Sequence, residues 1–511
     1  MLAEGYGGGR AGAAHMGLEI DRERFEDEDH RRFAERLQRG LAALAEVMAR
    51  PGFGAGEASI GAEVELCLVD DAGRPRPVNR AVLADTSDPR VTHEIGAWNM
   101  EINASPAPLA GRPFTALAAE IDAVLATIGR AAAPHGARVA LVGILPTLRP
   151  CDLGADALTD ARRYRALAEG LRRVRQDCFH VHIEGDDTID LTSDDVAIEG
   201  ANTSLQVHLR VRPEAFAAAY NAAQIATAPA LAAATNAPTL LGHRLWEETR
   251  IALFRQVVDD RREAGGGEDW RPARVSFGHG WVREGAFELF AEAVSLHAPL
   301  LPVCGPEDPL ACCRAGGVPT LAELRLHLGT VWRWNRAVYD ATGDGHVRIE
   351  LRALPAGPTV ADMTANAAFL LGLTLALTPE ARALTYRMTF GQARRNFYLA
   401  ARHGLDAELL WPTADAPSPR PVRAADLVEQ LIPLSERGLV EAGVDPAEVT
   451  RLLDIVARRV QRGLTGARWQ RRALAAEETR LPREEALAAM FARYRAEAGT
   501  GRPVHAWSEP G

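Results

Sequence analysis

The feature that most limits what this chain can become is a polar–apolar alternation that recurs at separated places. It reads Gly61-Ala-Glu63-Val-Glu65, Asn99-Met-Glu101-Ile-Asn103, Gln206-Val-His208 and Arg348-Ile-Glu350-Leu-Arg352. Side chains two positions apart on a strand point to the same side, so each segment written as a strand has one polar and one apolar face. Several such strands imply a sheet with one carboxylate-rich, arginine-bearing face and one dry face for helices to cover. Such a polar face is costly unless divalent metal and phosphate occupy it.

The rest of the chain supports an α+β reading. Helix-spaced apolar residues run from Glu26 to Met48, and strand patterns cover Ser59 to Asp70, Trp98 to Ala104 and Ala137 to Ile144. Helices are expected over Leu117 to Ala133 and Asp160 to Gln176. Gly185 to Gly200 reads as an acidic polar loop. Thr203 to Val211 alternates cleanly, and Pro213 opens a long helix to about Ala234. A glycine-rich loop is expected at 262–272, a helix from Leu321 to Tyr339, a strand from Val347 to Leu354 and a mostly apolar helix from Asp362 to Leu377. Residues 1–16 read as a leader and 17–410 as the main domain. A proline-rich linker at 411–423 then leads to an arginine-rich helical region over 424–500.

Glu63 and Glu65 sit one strand period apart, roughly 6–7 Å. Their repulsion raises a pKa unless a cation intervenes, and a hard divalent ion is the economical remedy; the plain alternative is an exposed edge strand. Glu101 repeats the pattern, and Glu94 is a further candidate or a solvated loop acid. His208 shares its face with Gln206, where a histidine can ligate metal through one nitrogen. His180 and His182 form a secondary pair. Arg348, Glu350 and Arg352 need mutual pairing or a ligand, an arrangement suited to phosphoryl transfer; a solvated ladder of salt bridges is the alternative.

Composition closes off other classes. The 58 basic and 68 acidic side chains leave a formal charge of −10, against a general nucleic-acid surface. Six cysteines in 511 residues do not make a disulfide scaffold. Cys304, Cys312 and Cys313 lack a regular zinc spacing. No stretch reads as a membrane span, and no dinucleotide or P-loop glycine pattern appears. A cytoplasmic enzyme is expected, with no membrane or nucleic-acid partner.

These motifs, in this order, resemble the glutamate–cysteine ligase family within the carboxylate–amine ligases. The carriers are Gly61-x-Glu63-x-Glu65, Asn99 to Asn103, Thr203-Ser-Leu-Gln-Val-His208 followed by Asn236-Ala-Pro238, Arg348-x-Glu350-x-Arg352, and Thr465 to Gln470. The resemblance spans roughly residues 55–480. It implies a glutamine synthetase-like fold: a curved, mostly antiparallel sheet with a polar catalytic face, helices behind it and a helical C-terminal region. It implies ATP and Mg²⁺, with Glu63, Glu65, Glu101, His208 and Glu350 as metal ligands. Glu65, Gln206, His208 and Arg348 would face the nucleotide. Glu63, Arg348, Glu350 and Arg352 would carry catalysis, the arginines neutralising the transferring phosphoryl group. The implied reaction makes a γ-glutamyl amide through an acyl phosphate, from glutamate and an amine such as cysteine. The alternatives are the same chemistry on a different amine, another phosphoryl transfer on this sheet, or a non-catalytic metal- or nucleotide-binding homologue. The C-terminal helices are a candidate cover for the site or an oligomer interface.

Overall fold

Alternation along the chain becomes two-sidedness in space. The computed structural model describes residues 20–154, 157–175, 178–193, 196–261, 272–413 and 418–509. The expected leader and residues 262–271 of the glycine-rich loop lie outside them.

The main sheet has eight strands. They are β1 (Ser59–Val69), β2 (Val91–His93), β3 (Asn99–Asn103), β4 (Ala107–Pro108), β5 (Arg138–Ala140), β8 (Ser204–Arg210), β11 (Asn335–Asp340) and β12 (His346–Pro355). Three small hairpins supply the other strands: β6 (Phe179–Glu184) with β7 (Thr188–Ser193), β9 (Thr239–Leu240) with β10 (His243–Arg244), and β13 (Glu408–Trp411) with β14 (Arg420–Arg423). The main path runs β11-β12-β8-β1-β3-β2, with β4 and β5 also on β1, and every pairing is antiparallel. The sheet curves into a half-barrel.

One face is dry. Val64, Leu66, Val207, Leu209, Ile349 and Leu351 are essentially inaccessible to water. Burying each such side chain is worth about 1.5–3 kcal/mol. Helices Pro113–Ala132, Phe216–Ala234 and Val360–Leu377 lie against this face. The last two are apolar nearly all round because they are buried nearly all round. The run 360–387 is long and apolar enough to cross a bilayer, but 83% of its most apolar stretch is buried inside the protein.

The C-terminal helices Ala424–Glu441, Pro446–Gln461, Gly466–Glu478 and Arg483–Ala498 extend the same core. Ala424–Glu441 runs along Val360–Leu377 at a distance only glycine permits. A Cβ on Gly438 would lie 2.3 Å from the Gly372 carbonyl oxygen, and one on Gly372 would lie 2.2 Å from Ser435 Oγ.

Two expected elements differ. The helix expected from Leu321 to Tyr339 is a short helix, Ala322–Leu328, followed by strand β11. Helix-spaced leucines hid the alternation in Asn335-Arg-Ala-Val-Tyr-Asp340, and partners on β12 decided it. The expected polar loop at 185–200 contains strand β7 and a buried 3₁₀ turn, Val196–Ala201.

Candidate functional site

Strand register assembles the polar face. Glu63 stands opposite Gln206 and Asn103, Glu65 opposite Glu101, and Glu350 opposite both His208 and Arg336. Between Leu351 and Leu354 the β12–β8 register slips by one residue. Arg352, at the edge of this bulge, keeps to the face of Glu350: it donates to Gln206 Oε1 and, at 3.1 Å, to Glu350 Oε2.

Glu63, His208 and Glu350 form the centre. One ligand atom from each lies within 4.8 Å of the others, the spacing of a cation site. Their exposures are 8%, 7% and 0%, so a cation among them would be largely shielded from water. His208 Nε2 lies 3.1 Å from Glu63 Oε1 and 3.9 Å from Glu350 Oε1. Arg348 Nε donates to His208 Nδ1 at 3.1 Å while its NH1 donates to Asp340 at 2.8 Å. The ring proton therefore sits on Nε2, facing Glu63. Arg336 forks onto Glu350 at 2.6 and 2.9 Å. Burial alone would raise the Glu350 pKa, but Arg336 and Arg352 outweigh it and hold the carboxyl well below its ordinary value.

The neighbouring acids behave in the opposite way. Burial, then the charges of Glu63, Glu94 and Glu65, push Glu101 well above its ordinary value, although Asn103 donates to it at 2.8 Å. Burial also raises Glu65, although Arg250 and Arg352 stand near it and it accepts from Ser204 N at 2.6 Å and Gln206 Nε2 at 3.1 Å. Burial and Glu65 lift Glu94 to about 7. Burial, Glu94 and Glu65 raise Glu199, carried by the 3₁₀ turn. Acids driven up by burial and by one another are what a hard cation with oxygen ligands relieves. Glu65 and Glu101 are paired across β1 and β3.

Similarity decides the family. Residues 59–491 match the model of Glutamate-cysteine ligase family 2 (GCS2). The chain belongs to that family. Its fold is that of the carboxylate–amine ligases related to glutamine synthetase, as the resemblance implied. Among solved structures, the GCS2 chain is similar to glutamate–cysteine ligase from Francisella tularensis in complex with AMP, at 10% identity and a TM-score of 0.51, over 90% of this chain and 91% of that one. It also matches a bifunctional glutathione synthetase from Pasteurella multocida at 11% identity and a TM-score of 0.47, covering 93% of this chain and 54% of that one. No curated protein matches it in sequence.

The fold thus brings Glu63, Glu65, Glu101, Gln206, His208, Arg348, Glu350 and Arg352 onto one face. His180 and His182 are instead exposed on the β6–β7 hairpin, where Asp190 holds both, at 2.7 and 3.1 Å. Asn236 and the Thr465–Gln470 segment, motifs of the resemblance, pack against each other: Gln470 Nε2 donates to Asn236 Oδ1 at 2.9 Å, and a Cβ on Gly466 would lie 2.1 Å from that oxygen. They tie the loop after helix Phe216–Ala234 to helix Gly466–Glu478. Sequence reasoning missed Arg336, Asp340 and Glu199. The alternation of β11 marked the first two; nothing local marked the third. Cys67, buried on β1, is pushed up to about 12, mainly by burial, and is an inert thiol.

Proposed function

We propose that this GCS2 chain is an ATP-dependent ligase that joins the γ-carboxylate of glutamate to an amine, cysteine being the simplest acceptor. The observation that carries the reading is the cation-sized triad Glu63–His208–Glu350, flanked by Arg348, Arg352 and Arg336 on the polar face of a family sheet. Mg²⁺ held by Glu63, His208 and Glu350, with Glu65 and Glu101 beside them, would neutralise phosphate charge and polarise the transferring group.

The residues of this chain supply the rest. His208 would give its Nε2 lone pair to the ion, its proton passing to Nδ1, and Arg348 would lose that acceptor and be left on Asp340 and free to meet an anion. Arg352 neutralises charge on the acid being activated, and Gln206 links it to Glu65. Arg336 keeps Glu350 ionised whether or not substrate is present. Phosphoryl transfer to the carboxylate and displacement of phosphate by the amine then proceed largely by positioning and charge neutralisation. A cytoplasmic location, where ATP and glutamate are abundant, fits this reading.

A second reading has its own support. Glu94 and Glu199 are acids beyond the proposed metal set, both raised by burial and by their neighbours, and a cationic amine would relieve them as a metal ion does, which favours an acceptor amine other than cysteine. Purified protein with ATP, Mg²⁺ and glutamate, offered cysteine, other amino acids and simple amines, tests both. A γ-glutamyl product by mass spectrometry, with stoichiometric ADP and phosphate, is expected. Product from cysteine alone would exclude the second reading. ATP turnover with no amide from any acceptor would sink the ligase assignment.

A further inference from the structure

Helix Thr249–Val257 has two working sides. One carries Arg250, whose charge acts on Glu65; the other lines an open cleft of about 480 Å³ that contains none of the groups of the polar face. The cleft is bounded by the β6–β7 hairpin and by the last turns of helix Phe390–His403. Its walls are pinned. Trp246 Nε1 donates to the Glu184 carbonyl oxygen at 3.0 Å, and Gln256 Oε1 accepts from His182 N at 2.8 Å.

The charges lining it do not cancel. Arg261 clamps Asp259 at 2.6 Å, and His182 Nε2 lies 3.5 Å from Glu184. Arg255 and Arg402 remain. Arg255 lies over the Tyr398 ring at 5.4 Å and Arg402 over the Trp246 ring at 5.8 Å; neither has a carboxylate partner among the described residues. Both arginines end a helix, where a cation favours the dipole. That role does not require two of them to converge on one cleft with aromatic walls. The volume is that of a small-molecule site, and an aromatic wall beside a fork-shaped cation suits a flat acid.

We propose that this cleft binds a small planar organic anion, its ring against Trp246 and Tyr398 and its carboxylate or phosphate on Arg255 and Arg402. The site is independent of the ligase reading. Calorimetric titration of the intact protein with naphthyl phosphate, naphthoate and uncharged naphthol tests it. One anion is expected to bind per chain, with naphthol at least about tenfold weaker. Whichever anion binds tighter supports the proposal and names the acidic group. The Arg255→Gln/Arg402→Gln double variant should lose about tenfold or more in affinity while its melting temperature stays unchanged, and Trp246→Leu should weaken the ring contact. Absence of binding up to about 1 mM, or equal binding by the double variant, overturns it.

Discussion

The polar face and the Asp362–Arg459 pair handle buried charge in opposite ways. Asp362 and Arg459 are almost wholly buried, and nearly every polar atom is answered. Arg459 donates to Asp362 at 2.8 Å, to the Ala233 carbonyl at 2.9 Å and to Asn366; Asp362 also accepts from Thr359 Oγ1 at 2.8 Å and Val504 N at 3.0 Å. On the polar face, repulsion among Glu65, Glu94, Glu101 and Glu199 is left standing. A satisfied pair specifies packing. An unsatisfied cluster, held rigid by strand pairing, awaits a ligand.

This contrast can be broken by experiment. The largest effect is expected from Glu63→Gln: it removes a central ligand while keeping shape, so ligase turnover should fall by about 10³-fold or more while the thermal midpoint holds. A stability loss as large as the activity loss would erase the distinction between the regions. Arg459→Met should do the reverse. Leaving Asp362 buried and unpaired costs about 3–5 kcal/mol of stability by denaturant titration, with kcat of the folded fraction unchanged. Adding Asp362→Leu should restore most of that loss, because two apolar side chains need no partner. Arg348→Gln, which removes the arginine left to meet an anion once His208 turns its lone pair to the ion, should lower kcat by about 10²-fold while the Mg²⁺ dependence of activity and of melting stays unchanged.

The smallest expected effect is a pH slope. Glu94 holds its proton to about pH 7 in the folded protein against an ordinary value of 4.5. Between those values the unfolded chain has released the proton and the folded chain has not, so stability falls as pH rises and levels off above about 7. Metal-free protein should therefore melt higher near pH 5 than near pH 7.5, by an amount that shrinks in Glu94→Gln and in saturating Mg²⁺. A slope unchanged by both would place the titration elsewhere.

Much of the polar face was legible because it rests on a local rule. A strand's period of two put Glu63 with Glu65, Gln206 with His208, and Arg348, Glu350 and Arg352 together, and the order of the motifs supplied the family. The misread stretch shows where that rule stops. Residues 322–328 and 335–340 carry helix-like and strand-like spacing side by side, and only pairing with β12 chose the strand that brings Arg336 to Glu350. Nothing local distinguished Asn236 and Gln470, which tie a loop to a C-terminal helix, from motif residues that face the polar cleft.

The sequence by itself determined which side chains share a face, since the pleat is written in each strand. Tertiary structure decided which faces meet, in what register and at what depth. It brought Glu63, His208 and Glu350 within the reach of one ion, set Arg352 against Gln206 of the next strand, and laid Glu199 beside Glu94. The physical reason is that hydrogen-bond register and burial are long-range properties, and they alone decide whether a buried carboxylate finds an arginine or another acid.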